Sequence, residues 1–258
     1  MKIMSWNVNG IRACYNKGAL FDFLNTEMPD IVGFQETKIS EDQLTDELMN
    51  PLGYHTVWHS AQKKGYSGVA IFTRKKPISV TMGFGVERFD SEGRVISADF
   101  GDFIFFSVYF PNGQSSDERL AYKLDFYRAF FDHCNDLIAQ GRSVIIAGDY
   151  NTAHTEIDLA RPKENQDYSG FLPIEREWMD RVVGMGYVDT FRHFEPGPNH
   201  YSWWTFRAGA RQRNIGWRID YLFCDQKFLP QVKDAYILPE VLGSDHCPVG
   251  ITIAGTPS

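Results

Sequence analysis

The residues best suited to chemistry are polar groups that follow short apolar runs. Asn7 and Asn9 follow Ile3–Trp6, Gln35 and Glu36 follow Ile31–Phe34, and Tyr109 and Asn112 follow Phe103–Val108. Asp149 and Asn151 follow Val144–Ala147, Asp220 sits between Ile219 and Tyr221, and Ser244-Asp245-His246 precedes a last apolar run. One such residue is ordinarily a turn former or a helix cap. The same pattern at so many strand ends points to chemistry, because strand ends are a usual site for it in layered α/β proteins. Glu36 and Asp245 are hard oxygen ligands that suit Mg²⁺. Asp149 and Asn151 stand two apart and face one side of extended chain, where one takes a proton from water and the other orients it. Asp220 with His246 makes a carboxylate–imidazole pair that favours the charged ring. This set suits metal-assisted attack of water on a phosphodiester. Residue types carry that reading; spacing does not dictate the pairings.

The elements that must position these groups read as short strands with a few helices. Strands are expected at Ile3–Val8, Ile31–Phe34, Gly68–Thr73, Val95–Phe100, Phe103–Phe110, Val144–Ala147, Ile219–Phe223 and Val249–Ile253. The clearest helix is Ser116–Gln140, with a stripe of Leu120, Leu124, Tyr127, Phe131, Cys134 and Ile138, a Ser115/Glu118 capping box and Gly141 past its end. Weaker helices are expected at Gly18–Met28, Glu41–Met49 and Pro173–Val183. Sheets covered by helices follow. Composition is even and linker signals are absent, so 1–258 reads as one domain.

Hydrophobic residues at 43% and charged residues at 23% fit a folded soluble chain and exclude disorder. Cys14, Cys134, Cys224 and Cys247 form no metal pattern and read as buried free thiols. There is no membrane-spanning run or signal-peptide pattern, and a cytoplasmic protein is expected. The chain starts at its first strand, so no nuclear-targeting extension is expected. The net charge of −7 argues, as a bare total, against nucleic acid. Its distribution does not. His55–Val86 holds Lys63, Lys64, Arg74, Lys75 and Lys76 without an acid, and Pro196–Ile219 holds Arg207, Arg211, Arg213 and Arg218 without an acid. A basic rim around an acidic, metal-requiring centre is expected, with binding that weakens as salt rises.

The segments Trp6–Arg12, Gln35–Lys38, Gly65–Val69, Gly148–His154, Asn214–Tyr221 and Gly243–Pro248 resemble the exonuclease III / apurinic-apyrimidinic endonuclease family, in order and over essentially the whole chain. Ile157–Lys163 and Asn214–Tyr221 point to its DNA-repair branch. The resemblance implies a deoxyribonuclease I-like four-layer α/β sandwich, two packed mixed β-sheets flanked by helices. It implies a metal at Glu36, with Asp245, Asn7 and Asn9 nearby, although some relatives carry Asp at the position of Asn9. It implies that Asp149 activates water, Asn151 holds the water or the phosphate, Tyr109 contacts the phosphate, and His246, held by Asp220, stabilises developing charge. The general base and the metal count stay open.

The same resemblance places Trp203, Trp217 and Ile219 around a pocket for a base-free deoxyribose. Arg207 lies where some relatives insert a Met into the duplex. Arg12, Lys38, Tyr66, Asn112, Asn165 and Arg211 match positions on the DNA face. Tyr201 and Trp204 read as core, and His154 as structural. The implied activity is Mg²⁺-dependent cleavage 5′ to abasic sites with 3′→5′ exonuclease trimming, Mn²⁺ substituting. The partner would be double-stranded DNA with abasic sites or 3′ ends, met by a monomer at the nucleoid. Two alternatives stay open: a less selective nuclease or phosphatase of the superfamily, and a catalytically dead DNA-damage binding module.

Overall fold

In the computed structural model the strands run β1 (Lys2–Asn7), β2 (Ile31–Gln35), β3 (His55–His59), β4 (Val69–Thr73), β5 (Ser79–Met82), β6 (Val95–Asp99), β7 (Ile104–Tyr109), β8 (Val144–Asp149), β9 (Tyr187–Asp189), β10 (Asp220–Asp225), β11 (Val232–Ile237) and β12 (Val249–Ile253). The helices are α1 (Ile11–Asn16), α2 (Ala19–Glu27), α3 (Asp46–Met49), α4 (Glu87–Asp90), α5 (Asp117–Ala139), α6 (Pro173–Gly184) and α7 (Thr190–Phe194). The structure describes residues 1–255, so the last three residues of the expected domain lie outside the described residues.

Two six-stranded mixed sheets form, with orders β11-β12-β1-β2-β4-β3 and β5-β6-β7-β8-β10-β9. Their facing sides close on Ile3, Ile31, Ile71, Phe105, Ile145, Leu222 and Ile251. The outer side of the first sheet packs Met4, Trp6, Phe34 and Phe72 against Leu20, Phe23 and Leu24 of α2. The outer side of the second packs Phe106, Val108, Ile146 and Phe223 against α5 and α6. Helix, sheet, sheet and helix make the expected four layers. Strands buried on both faces show no polar alternation, which is why β7 and β8 read as continuous apolar runs. Gly148 is required where β8 meets β7, since a β-carbon there would lie 1.9 Å from the Val108 carbonyl oxygen.

Several local expectations shift. The cap of α5 is Ser116, whose side chain accepts from Arg119 N, and not Ser115. The buried stripe of α5 is Lys123, Phe126, Tyr127, Phe130, Phe131 and Cys134, leaving Leu120, Leu124 and Ile138 partly exposed. Phe126 and Phe130 win the core because they pack edge-on against Phe84 and Phe110. The helix expected over Glu41–Met49 is a 3-10 turn at Glu41–Gln43 and then α3. Strands β3, β5, β9 and β11 were not expected; β9 has three residues and β5 is exposed throughout. All four cysteines are free and buried.

Candidate active site

The site grows from strand register. β1 and β2 run parallel with Asn7 beside Gln35, so Glu36 follows directly at the sheet's edge. In the second sheet Tyr109 pairs with Asp149 across the parallel β7–β8 ladder, and Asp149 pairs with Asp220 across the antiparallel β8–β10 ladder. Three functional side chains thus sit on adjacent strands at one level. Gln35 does not join them. It is fully buried and bridges the sheets beneath, accepting from Ser5 Oγ at 3.2 Å and donating to Ser107 Oγ at 3.1 Å.

The turns after the strands hold strained conformations. Asn9, Glu36, Lys38, Ser67 and Asn151 all have positive φ between 45° and 51°. For Glu36, Lys38 and Ser67 that costs roughly 1–2 kcal/mol each, and less for the two asparagines, and it persists where surrounding bonds impose it. The bonds are present. Gly10 N donates to Glu36 O, Lys38 N to Ser67 O, and Asn151 N to Asp149 Oδ1 at 2.8 Å.

At the centre the Asn7 side-chain amide donates to Asp149 Oδ2 at 2.8 Å and to Glu36 Oε1 at 3.0 Å. His246 contacts Asp220 Oδ2 through Nδ1 at 2.8 Å, and its Nε2 lies 3.8 Å from Asp149. Burial alone would lower the His246 pKa, but Asp220 and then Asp149 outweigh it and raise it to about 10. The ring is therefore a cation at neutral pH. Burial, then the nearby Asp220 and Glu36 charges, raise Asp149 to about 7 against the pull of His246. Tyr109 is pushed well above its ordinary value by burial and by Glu36 and Asp149, so it remains a neutral phenol. Asp245 accepts from Asn9 at 3.0 Å and from Trp203 Nε1 at 3.0 Å. With His246 these bonds hold its carboxyl below the usual range despite burial.

A cleft of about 640 Å³ opens over this centre. Glu36, Tyr109, Asp149 and His246 line it, with Asn112, Asn151 and Asn165 on its wall. Trp203, Trp217 and Ile219 close one side, backed by Leu159 and Phe171. Ligand atoms of Glu36, Asp149 and His246 lie within 4.8 Å of one another. Protonated His246 has no lone pair to give, so the donors that fit a hard divalent cation are the two carboxylates. Asp220 Oδ1 is buried without a hydrogen-bond partner, a further sign of uncompensated negative charge. The oxygens of Asn7 and Asn9, expected near the metal, already accept from Asn9 N and Lys38 Nζ.

Residues 4–246 match the endonuclease/exonuclease/phosphatase family. The chain belongs to that family. An exodeoxyribonuclease of Bacillus subtilis is 45% identical over 254 residues, covering 98% of this chain and 99% of that one. A DNA-(apurinic or apyrimidinic site) endonuclease of Dictyostelium discoideum is 37% identical over 256 residues, covering 98% of this chain and 70% of that one. A 3′ phosphatase from Neisseria bound to a product DNA hairpin superposes with a TM-score of 0.91 at 28% identity, covering 99% of this chain and 100% of that one.

This family member departs from the sequence expectations mainly among its cations. Lys38, whose side chain stays partly exposed, brings its ammonium within 3.0 Å of Glu36 and 2.6 Å of Asn9, so its charge is shared with the centre. Arg211 donates to the carbonyls of Pro239, Val241 and Ser244, and so holds the loop before Asp245 rather than offering a free charge. Arg218 is buried between Asp158 and Asp189. Lys75 lines a hollow with Phe103 and Ser143, at the opposite ends of β7 and β8 from the cleft. The expected basic rim therefore keeps only part of its charge, because acids distant in sequence neutralise some of it. Arg12 lines a small hollow beside the cleft, and Arg207 is exposed on the 205–209 loop. Tyr66 Oη accepts from Arg94 at 2.8 Å and Arg119 at 3.1 Å, which aims its own proton elsewhere.

Sequence reasoning missed Ser202, which donates to Asp220 Oδ2 at 2.6 Å, and Arg94, which holds both Tyr66 and the Tyr109 carbonyl. It also missed Lys123, though a lysine three residues before Phe126 and four before Tyr127 on an apolar stripe was a readable signal.

Proposed function

We propose that this chain is a DNA-repair phosphodiesterase that cuts the backbone 5′ to abasic sites with Mg²⁺, leaves a 3′-hydroxyl, and trims 3′ ends. Mn²⁺ substitutes. The observation that carries the reading is Asp149, buried at the floor of the cleft between the Asn7 amide and the His246 cation. The relatives' names, an exodeoxyribonuclease and an apurinic-site endonuclease, support the substrate class.

Glu36 and Asp149 would hold the cation, which when bound supplies charge neutralisation and polarises a phosphate oxygen. Asp149, as the carboxylate, takes the proton of the attacking water. Asn151 is fixed for water or phosphate by its bonds to the Phe110 carbonyl at 2.9 Å and to Asn112 at 3.2 Å. His246 and Tyr109 both donate toward the cleft, where non-bridging oxygens gain charge. The wall of Trp203, Trp217 and Ile219 accepts a flipped sugar without a base, and a damaged site costs less to unstack. Residues 1–258 act as one domain and as a monomer at nucleoid DNA in the cytoplasm. Among the described residues no helix is long and apolar enough to cross a membrane.

The test is a set of matched duplexes: intact, with one abasic site, and with a blocked 3′ end. Nicking of the abasic duplex with Mg²⁺ or Mn²⁺, its 3′ end extendable by a polymerase, is expected. Equal cutting of the intact duplex, or full activity in EDTA, overturns the reading.

A further inference from the structure

Behind the cleft lies a buried charge pair that does not itself line it. Lys123 of α5 and Glu175 of α6 are fully buried and bonded at 2.7 Å. Such pairs are costly to desolvate and are held only where further hydrogen bonds satisfy both ends. Here the further bonds lead to the site. The Lys123 ammonium also donates to the Asn151 carbonyl at 2.6 Å. Glu175 accepts from Ser169 Oγ at 2.8 Å and from the backbone N–H groups of Gly170 at 2.5 Å and Leu172 at 3.1 Å.

Both ends of this chain of bonds are cleft elements. Asn151 is one of the positive-φ residues and lines the cleft with its amide. Tyr168, Ser169 and Gly170 form the adjoining wall, and a β-carbon on Gly170 would come within 3.1 Å of the Trp217 ring. Gly170 O accepts from Ala153 N, so the loop after β8 and the wall segment are also joined directly.

We infer that Lys123 and Glu175 are positioning residues for phosphodiester cleavage: the pair holds the Asn151 backbone in its strained conformation and fixes the 169–172 wall against Trp217. The inference rests on the proposed function of the cleft. Neither residue touches substrate. They act through the carbonyl of Asn151 and the wall's N–H groups, so the effect falls on the placement of the Asn151 amide. A displacement near 1 Å in such a group costs about 100-fold in rate.

The experiment measures kcat and KM on the abasic duplex for Lys123→Met, for the charge-neutral Lys123→Met/Glu175→Gln, for Asn151→Ala, and for Asn151→Ala combined with each. The neutral pair leaves no unpaired buried charge, and so remains informative if Lys123→Met does not fold. A fall of about 100-fold in kcat is expected in the folded variants, with KM changed less than threefold. In the Asn151→Ala background the same changes should lower kcat by clearly less than about 100-fold further, because the share carried by the Asn151 amide is already lost and only the share carried by the wall remains. A folded neutral pair with kcat within twofold of the parent overturns the inference. So does a loss that multiplies fully with that of Asn151→Ala. A parent enzyme that cleaves no duplex with any divalent cation refutes the proposed function instead, a result distinct from either.

Discussion

Arg218→Met should be among the most damaging single changes outside the cleft. The guanidinium is 1% exposed and bonds Asp158 Oδ1 at 2.7 Å and both Asp189 oxygens at 3.1 and 2.7 Å. Removing one partner of a buried ion pair costs about 3–5 kcal/mol, because the remaining charge is left uncompensated. Asp158 keeps Arg192 at 2.6 Å, whereas Asp189 keeps the Arg192 backbone N–H at 3.3 Å. The lower end, about 3 kcal/mol, is therefore expected, or roughly 6–12 °C in Tm for a chain of this size. The loss should also depend on pH. Burial raises the Asp158 pKa, but Arg218 and then Arg192 outweigh it and hold the carboxyl well below the ordinary range. A depressed folded pKa contributes stability that is complete above the unfolded value, about 3.9, and is lost as pH falls through the folded value. The gap between parent and variant should therefore be full at pH 7 and narrow steadily below about pH 4. Urea unfolding followed by tryptophan fluorescence at pH 7, 5, 4 and 3 measures it. A gap under 1 kcal/mol at pH 7, or one unchanged to pH 3, would refute the reasoning.

Tyr66→Phe removes a donor aimed away from Arg94 and Arg119 without removing charge. Duplex binding in EDTA, read by fluorescence anisotropy, should weaken about tenfold with the salt slope unchanged; a changed slope would contradict that role. In the metal-free enzyme Asp149 binds a proton near pH 7, so a divalent cation must displace it. Calorimetric Mg²⁺ affinity should fall about tenfold per pH unit below that point, and a flat profile from pH 5 to 8 would show that Asp149 is not a ligand.

Much of the layered fold was legible because fully buried strands are apolar throughout, so β1, β2, β7, β8 and β12 stood out as runs with polar residues at their ends. The missing strands had no such contrast. β3 carries a histidine at each end, and β5 is an exposed edge whose residues meet no second layer. The site's residue types were legible for the same reason as the strands, each following an apolar run. Their pairings were not. That Asp149 opposes Asp220 and not Asp245 is a matter of register between strands separated by more than sixty residues. The cations were read worst. Charge counted along the chain placed Arg218 and Arg211 on a rim, whereas Arg218 is neutralised by Asp158 and Asp189, and Arg211 keeps its charge but is tied to loop carbonyls. A charge is neutralised by what lies near it in space, and sequence windows do not report that.

The means by which the carboxylates are held together bears on why the centre calls for a metal. Glu36, Asp149, Asp220 and Asp245 face two cations, Lys38 and His246. Close like charges would ordinarily be separated or paired with lysine and arginine. Here Asn7 bridges Glu36 and Asp149, and Asn9 bridges Asp245 and Lys38. An amide satisfies a carboxylate's lone pairs without reducing its charge, so geometry is fixed while the negative excess remains. Burial first, and then the Asp220 and Glu36 charges, raise the pKa of Asp149, so part of that shift reflects the excess. A lysine at position 7 would halve that excess and weaken the demand for a divalent cation. An aspartate at position 9 would have the converse effect, since Lys38 would be drawn from Glu36 toward the new carboxylate and the charge on Glu36 would be more fully available. The asparagine at position 9 leaves Lys38 shared between Asn9 and Glu36, so Asn9→Asp is expected to raise the Mg²⁺ affinity read by calorimetry, and an unchanged affinity would refute that account.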